Sequence, residues 1–539
     1  MDGALTTPAR SGSPSSPSSP PTSDAEAVSL KTWITVFGAV LGAFMAVLNI
    51  QVTNASLPDI QGGIGTGLEN GGWISTAYLI GEIITIPLTG WLSEVFSVRR
   101  YMIGNTILFL IFSAACGLTE TFPQMVALRA VQGFTGGILI PMAFTCIIRL
   151  LPLSRRPMGL AMFALSATFA PAIGPTIGGF ITDSYGWRYI FFLNLVPGIP
   201  MLAALAYGLK REPMQLRKFA EGDFLGVSTM AIGLACLQTV LEDGNKDDWF
   251  GSVLITRLSI IAAIALSAFI IVELRVARPL INLRLFRRRN FAFAGIANVM
   301  LGFVLYGSVY LLPIYLAESQ GYDAEQAGNV MAWVGLPQLL ILPLIPRVMK
   351  HIDARLLVII GFAIFAVSSF INMNLDANYS GPQMIWPNII RAFGQAMVMT
   401  PLSVIATAGI EPANASSASS LFNMMRNLGG AFGIAVLQTF ITRREQFHSA
   451  VMTPAVSMLA PATTQRISMM AQFFEAHGLS DKQAAGREAI IAIGRSIRAQ
   501  AYLMAYGDAF ALLGTALVVA IIASLFLARA KAAGAGGAH

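Results

Sequence analysis

Charge is the first thing this sequence is short of. Asp, Glu, Lys and Arg make up 12% of its 539 residues, against about 25% in an ordinary soluble domain, which excludes a freely soluble enzyme. Cysteine is scarce as well. Cys116, Cys146 and Cys236 each stand alone in an apolar run, so they form neither a disulfide framework nor a metal site, and packing is the role left to them. The four histidines are scattered: His351 and His448 flank apolar runs, His477 lies in a polar region and His539 is terminal. Any proton chemistry therefore rests on carboxylates, and no metal or other cofactor is expected. No phosphate-binding GxxxxGK(S/T) loop is present, which argues against an ATP-driven pump. No Ser/His or His/Asp pair at catalytic spacing supports a membrane-embedded acyl or lipid transferase, so the chain reads as no enzyme.

What the sequence has is long apolar runs. Hydrophobic residues make up 55% of it and the mean hydropathy is +0.66. Runs of roughly 18–26 residues, each enough to cross a bilayer as a helix, recur near 32–57, 72–92, 101–118, 123–149, 157–181, 189–209, 223–241, 253–274, 291–316, 326–346, 355–374, 383–409, 417–441 and 506–529. The expected fold class is an all-α integral membrane protein of fourteen spans. Residues 1–30 are a Ser/Pro-rich stretch that cannot bury a core and reads as a disordered tail, with a second tail at 531–539. No cleavable signal peptide precedes the first span.

Basic residues set the orientation. Arg99-Arg100, Arg155-Arg156, Lys210-Arg211, Arg217-Lys218, the run from Arg284 to Arg289, and Lys350 with Arg355 all fall in alternate loops, whereas the short intervening loops hold only Arg188 and Lys246. By the positive-inside rule both termini are cytoplasmic. The formal net charge of +7 thus belongs to topology, and no nucleic acid is expected. One connection is long. Residues 442–505 contain polar helical stretches at 463–477 and 480–498, which read either as a docking surface for an external partner or as a mobile cap.

Within the spans, charges are costly and each needs a reason. Glu82 sits in mid-span with no cation near it in sequence; removal from water favours the protonated form of a carboxyl, so Glu82 is a candidate proton carrier, or else a structural carboxylate. Arg129 reads as a partner for a carboxylate or for the tail of an anionic substrate, as a tuner of a nearby acid, or as a staple between helices. Arg391 and Arg426 pose the same question in the second half. Asn49, Gln51 and Asn54 give the first span a polar face; the sequon Asn54-Ala-Ser56 lies inside that span and is discarded as a glycosylation site. The stretch 170–180 (APAIGPTIGGF) combines Pro171 and Pro175, which kink or loosen a helix, with Gly174, Gly178 and Gly179, which let a neighbour approach closely. Such a helix suits a surface on which two halves of a membrane protein rock, or simply tight packing.

Taken in order, these motifs resemble the major facilitator superfamily, in its fourteen-span drug:proton antiporter branch. Residues 48–58 (LNIQVTNASLP) resemble the first-helix motif and 90–100 (GWLSEVFSVRR) the loop motif between helices two and three. Arg129 with Gln132-Gly133 resembles the fourth-helix motif, and the 170–180 stretch the antiporter motif of helix five. Residues 186–194 (GWRYIFFLN) follow as the usual lead into helix six. Within that branch, residues 248–250 (DWF), 285–291 (LFRRRNF) and 311–315 (LLPIY), with the long external loop, resemble the EmrB type.

That resemblance implies a six-helix bundle over 31–210, two inserted helices over 211–290, and a second bundle over 291–530. It implies proton-driven efflux of amphipathic drugs from a bacterial inner membrane, or export of a metabolite, fatty acid or siderophore. An adaptor of the membrane-fusion type outside and an outer-membrane channel are the implied partners, beside protons, lipid and hydrophobic small molecules. Glu82 and Arg129 would couple protons. Asn49, Gln51, Asn54, Gln132, Arg391 and Arg426 would face substrate. Gly90, Glu94, Arg99 and Arg100, with Pro171, Gly174, Pro175, Gly178 and Gly179, would serve gating. Two departures stand out: Asn49 occupies a position where the branch often has Asp, and the loop motif has Glu94 for Asp, Val95 for a base and Ser97 for Gly.

Overall fold

The apolar runs all become helices. The computed structural model describes residues 28–66, 71–276, 279–411, 414–479 and 481–528, and among those residues there is no strand. Positions 1–27 of the N-terminal tail and the whole tail 531–539 lie outside the described residues. Fourteen helices occupy the fourteen runs: α1 (Leu30–Ala55), α2 (Gly72–Phe96), α3 (Val98–Gly117), α4 (Phe122–Leu150), α5 (Arg156–Tyr185), α6 (Tyr189–Gly208), α7 (Phe224–Asp243), α8 (Val253–Arg275), α9 (Arg289–Gln320), α10 (Ala324–Ile341), α11 (Ala354–Ile371), α12 (Gly381–Thr407), α13 (Ala415–Met452) and α14 (Lys482–Leu525). Eleven of them are apolar and long enough to cross a bilayer by composition alone, and α5, bent by 46° after Pro171, makes a twelfth. Hydropathy understates the other two. α10 is interrupted after Ile341, and α13 carries Ser419, Ser420, Asn423 and Arg426, all buried against other helices instead of facing lipid.

Local chemistry fixes the ends. Asp223, Asp353 and Asp481 cap α7, α11 and α14 through their carboxylates, and Asp323 with Gln326 forms a capping box on α10, each satisfying amides that a helix start leaves open. Gly321, at φ 67°, closes α9 in the left-handed conformation that glycine adopts without strain.

Packing divides the helices into two bundles built alike. In the first, α1 packs on α4, α5 and α6, α2 on α4, and α3 on α4 and α6; in the second, α9 packs on α12, α13 and α14, α10 on α12, and α11 on α12 and α14. The bundles meet reciprocally: α5 lies on α10, and α13 lies on α2. Small residues bring the backbones together. A Cβ at Gly178 would lie 2.9 Å from the Val52 carbonyl oxygen, and one at Gly133 would lie 2.7 Å from the Tyr78 carbonyl carbon, so these positions admit no side chain without moving a helix.

α7 and α8 pack on each other, and α7 also touches α2 and α13, beside the seam between bundles. The segments flanking the pair tie it to both sides at the basic end. Lys218, on the short helix Leu216–Ala220, accepts a bond from Trp91 Nε1 at 3.2 Å, and the Trp91 ring stacks on Phe219 at 5.4 Å. In the last turn of α8 the Glu273 carboxylate accepts from the amides of Leu280 and Ile281 in the segment that follows, both at 3.2 Å, and the Asn282 amide donates to Ser417 Oγ at 2.8 Å. At the opposite end α13 and α14 continue past their apolar parts, with the helix Pro461–Ala476 packed on α14. Asp508 Oδ2 joins them there, accepting from Arg444 Nε and meeting His448 Nε2, both at 2.7 Å.

Candidate functional site

The mid-span polar groups fall into three neighbourhoods. The first is internal to the first bundle. Arg129, 1% exposed, donates through Nε to the Ile74 carbonyl at 3.2 Å and through Nη1 to Gln132 Oε1 at 2.8 Å, and its guanidinium lies 4.3 Å from the centre of the Tyr78 ring. Gln132 Nε2 then donates to Asn49 Oδ1 at 3.3 Å, which also accepts from Asn194 Nδ2 at 2.8 Å; Asn194 continues to Ser113 Oγ at 2.9 Å. This chain links α1, α2, α3, α4 and α6. A buried polar network so bonded rigidifies a bundle.

The second neighbourhood bridges the bundles. Glu82 is buried and its Oε2 has no hydrogen-bond partner. Its charge interacts with Arg129 on one side and with Arg426 of α13 on the other, although among the described residues it forms no ion pair. Arg426 donates to Asn423 Oδ1 at 2.8 Å, leaves Nε unpaired and lies 5.6 Å from the centre of the Phe163 ring on α5. Tyr306 of α9 stands beside it. Phe144 closes the wall, with its ring 5.6 Å from Phe163 and 6.2 Å from Phe422. The third neighbourhood surrounds Arg391 on α12, which with Gln395 lines a small void between α5, α9 and α10.

Other expected residues sit elsewhere. Gln51 lies against Gly174, and Gly178 against Val52, so the smooth face of α5 receives α1. Pro171 lines the void beside Arg391; Pro175 follows it in α5, and Gly179 is half-buried. Asn54, exposed, accepts from Ser75 Oγ at 2.6 Å. At the basic end Glu94 Oε2 pairs with Lys218 Nζ at 3.0 Å, while Arg99 donates to the Leu209 carbonyl and Arg100 is exposed. Gly90, Glu94 and Lys218 line a cleft of about 440 Å³ that also includes Asn282 and Ser417. Ser97 has φ 67°. Sequence reasoning counted Lys218 only among the basic residues that set the orientation, and passed over Tyr306, Asn423 and Gln395. For Gln395 the signal was present, a polar side chain one helical turn from Arg391; Lys218 is 124 residues from its partner and gave none.

The model of the Major Facilitator Superfamily matches residues 39–434. The chain belongs to that superfamily. The likeness extends to most of the chain: it is 31% identical over 505 residues to the multidrug export protein EmrB of Escherichia coli K12, covering 93% of this chain and 96% of that one. It is 32% identical over 509 residues to the fatty acid resistance protein FarB of Neisseria gonorrhoeae, covering 94% and 98%. It is 28% identical to the colistin resistance protein EmrB of Acinetobacter baumannii, covering 93% and 97%. Among solved structures, the superfamily's proton:xylose symporter XylE matches with a TM-score of 0.57 at 15% identity, covering 92% of this chain and 95% of that one, which shows the fold. Superfamily membership and the apolar helices make this a multi-pass membrane transporter rather than an enzyme, one that moves small molecules.

Proposed function

We propose that this protein exports hydrophobic and amphipathic compounds, drugs among them, from a bacterial inner membrane at the expense of the proton gradient. The observation that carries the reading is Glu82, a buried carboxylate with an unpaired oxygen at the seam between the bundles, set between Arg129 and Arg426, in a chain whose relatives are efflux and resistance proteins over nearly their full length. A carboxyl so placed takes a proton when its cationic neighbour moves away and gives it up when that neighbour returns. Rocking of α1–α6 against α9–α14 changes the distance from Glu82 to Arg426 while Arg129 travels with Glu82. Alternating access and proton exchange are then one motion.

In this reading both termini are cytoplasmic, and the Glu94–Lys218 pair with the Asn282–Ser417 bond holds the cytoplasmic side closed. The helical extension 442–505 faces the periplasm and receives an adaptor that continues to an outer-membrane channel. Its apolar exposure supports that role: Leu459 is 93% exposed, and Val451 and Phe473 are exposed too.

Transport in proteoliposomes tests the proton assignment. Purified protein is given an imposed pH gradient and a fluorescent amphiphilic drug, with Glu82→Gln in parallel. The expected result is gradient-driven movement in the parent and none in the variant, which still inserts and still exchanges drug down its own gradient. Full gradient-driven activity in Glu82→Gln would refute the role of this carboxyl.

A further inference from the structure

The fold repeats itself, and the repeat differs at one place. α2 meets α13 at one seam and α10 meets α5 at the other, each pair joining the second helix of one bundle to the fifth of the other. At the basic end both seams open into clefts of nearly equal size, about 440 Å³ beside α2 and about 430 Å³ beside α10. The first cleft is spanned by the chain itself. The segments flanking α7 and α8 cross it, Lys218 pairing with Glu94 of α2 and Asn282 bonding to Ser417 of α13.

Among the described residues no hydrogen bond or ion pair spans the second cleft. Its walls are residues 153–158, leading into α5, and 343–350, after α10, with the short helix Ile345–Val348 packed on α5. Arg155 stands on one wall, Arg347 and Lys350 on the other. All three are exposed, and among the described residues none makes a side-chain hydrogen bond or an ion pair. No Asp or Glu lines the cleft. Pro157, Pro343 and Pro346 do, and proline locks the backbone about φ, so the gap is set in shape. Topology accounts for cations on this side of the membrane. It does not account for three around one gap whose lining holds no acid.

We propose that this cleft binds the headgroup of an anionic phospholipid from the adjoining leaflet, whose phosphate bridges Arg155 of the first bundle to Arg347 and Lys350 of the second. The lipid stands where Lys218 and Asn282 stand at the other seam. Charge selects an anion, and the apolar lining selects a lipid over a soluble phosphate. Leu153 and Met158, within the cleft, are 59% and 37% exposed, and Leu340 and Leu344, on either side of Pro343, are 76% and 50% exposed. Cations at the membrane edge beside bare apolar residues match a phosphate and its acyl chains. Phosphatidylcholine carries its own cation next to the phosphate, which three more cations disfavour. Cardiolipin, with two phosphates, answers the three charges better than phosphatidylglycerol with one. The inference needs neither proton coupling nor an export substrate.

The test titrates the full chain, in detergent micelles, with phosphatidylglycerol, cardiolipin and phosphatidylcholine, and counts bound lipid by native mass spectrometry. Each Lys or Arg beside an anionic lipid is worth roughly fivefold in affinity, and three together on the order of a hundredfold. Phosphatidylglycerol should therefore bind more than about tenfold more tightly than phosphatidylcholine, and cardiolipin more tightly again. Arg347→Gln with Lys350→Gln should cost roughly 25-fold, and Arg155→Gln alone roughly fivefold. Arg284→Gln with Arg287→Gln removes the same charge from exposed positions beside α8 and should leave the tightest binding unchanged. Equal binding of phosphatidylglycerol and phosphatidylcholine to the parent protein overturns the proposal whether or not the variants fold. A loss equally large in the Arg284 and Arg287 variant overturns the site, because net charge alone then explains the binding. A loss from one wall without the other overturns the bridge. Displacement of phosphatidylglycerol by inorganic phosphate at equal concentration overturns the choice of a lipid and assigns the cleft to a soluble anion.

Discussion

The α2–α4 seam offers a substitution whose size can be worked out atom by atom. A Cβ added at Gly133 would stand 2.7 Å from the Tyr78 carbonyl carbon and 2.9 Å from its Cα, where carbon atoms rest at about 3.5–4.0 Å. The Tyr78 carbonyl oxygen is nearer still; all three obstacles are backbone, so no side chain can swing aside and α2 must retreat by at least roughly 0.8 Å, the shortfall in the carbon–carbon contact. The Arg129 Nε bond to the Ile74 carbonyl, 3.2 Å long, is carried towards 4 Å and ceases to be a hydrogen bond. Overpacking costs about 1–3 kcal/mol and a lost bond to a charged group about 1.5–3 kcal/mol. Alanine's better helix propensity returns up to about 1 kcal/mol. Gly133→Ala should therefore destabilise by about 1.5–6 kcal/mol, roughly 10- to 20,000-fold in the unfolding equilibrium at about 1.4 kcal/mol per decade. The control is the same chemical change at Gly104 of α3, where a Cβ meets nothing within 4 Å, and Gly104→Ala should be neutral or mildly stabilising. Reversible SDS unfolding in dodecylmaltoside micelles, followed by circular dichroism, gives both numbers. Identical midpoints for the two variants would show that the seam tolerates a methyl group and that the close approach of α2 and α4 is not a constraint.

Two further outcomes concern the loop between α2 and α3. Ser97 has φ 67° and ψ 147°, a region that only glycine occupies freely and that costs other residues about 1–3 kcal/mol; Ser97→Gly should raise the SDS midpoint, with a net gain of about 1 kcal/mol after the added freedom of the unfolded chain is subtracted. The Glu94–Lys218 pair is half-exposed, so it should add no more than about 1 kcal/mol to stability. Its effect belongs to transport: Glu94→Lys alone should slow or unbalance flux in proteoliposomes, and adding Lys218→Glu should restore it. Failure of the double exchange to restore flux would deny this pair a gating role.

The membrane-crossing architecture was written in the sequence wherever a helix faces lipid, because there every position must be apolar. It was faint in α13, where Ser419, Ser420, Asn423 and Arg426 turn inward and lower the hydropathy of a helix that is fully part of the fold. Glu82 was legible because one carboxyl in an apolar run stands out. Its partner did not stand out, since nothing in local spacing says that Arg426, some 340 residues on, closes the gap that Arg129 leaves. Asn49 and Gln132 read as a polar surface from their own helices. In three dimensions their amides bond each other and Asn194 inside one bundle, an outcome decided by contacts 83 and 145 residues apart. The loop motif announced an acid and two arginines, and the acid's ion pair is with Lys218, supplied by a segment that carries no motif.

The last helix has a mechanical meaning. α14 is unbroken for 44 residues, about 66 Å at the rise of an α-helix, and its far end is fastened by Arg289 and Arg355 to the carbonyls of Phe526 and Leu527. A rod of that length with no joint transmits a tilt from one water phase to the other without any intervening rearrangement. Whatever grips the segment near Lys482 thereby holds a handle on the roots of α9 and α11, and a small leaning there becomes displacement at the opposite mouth.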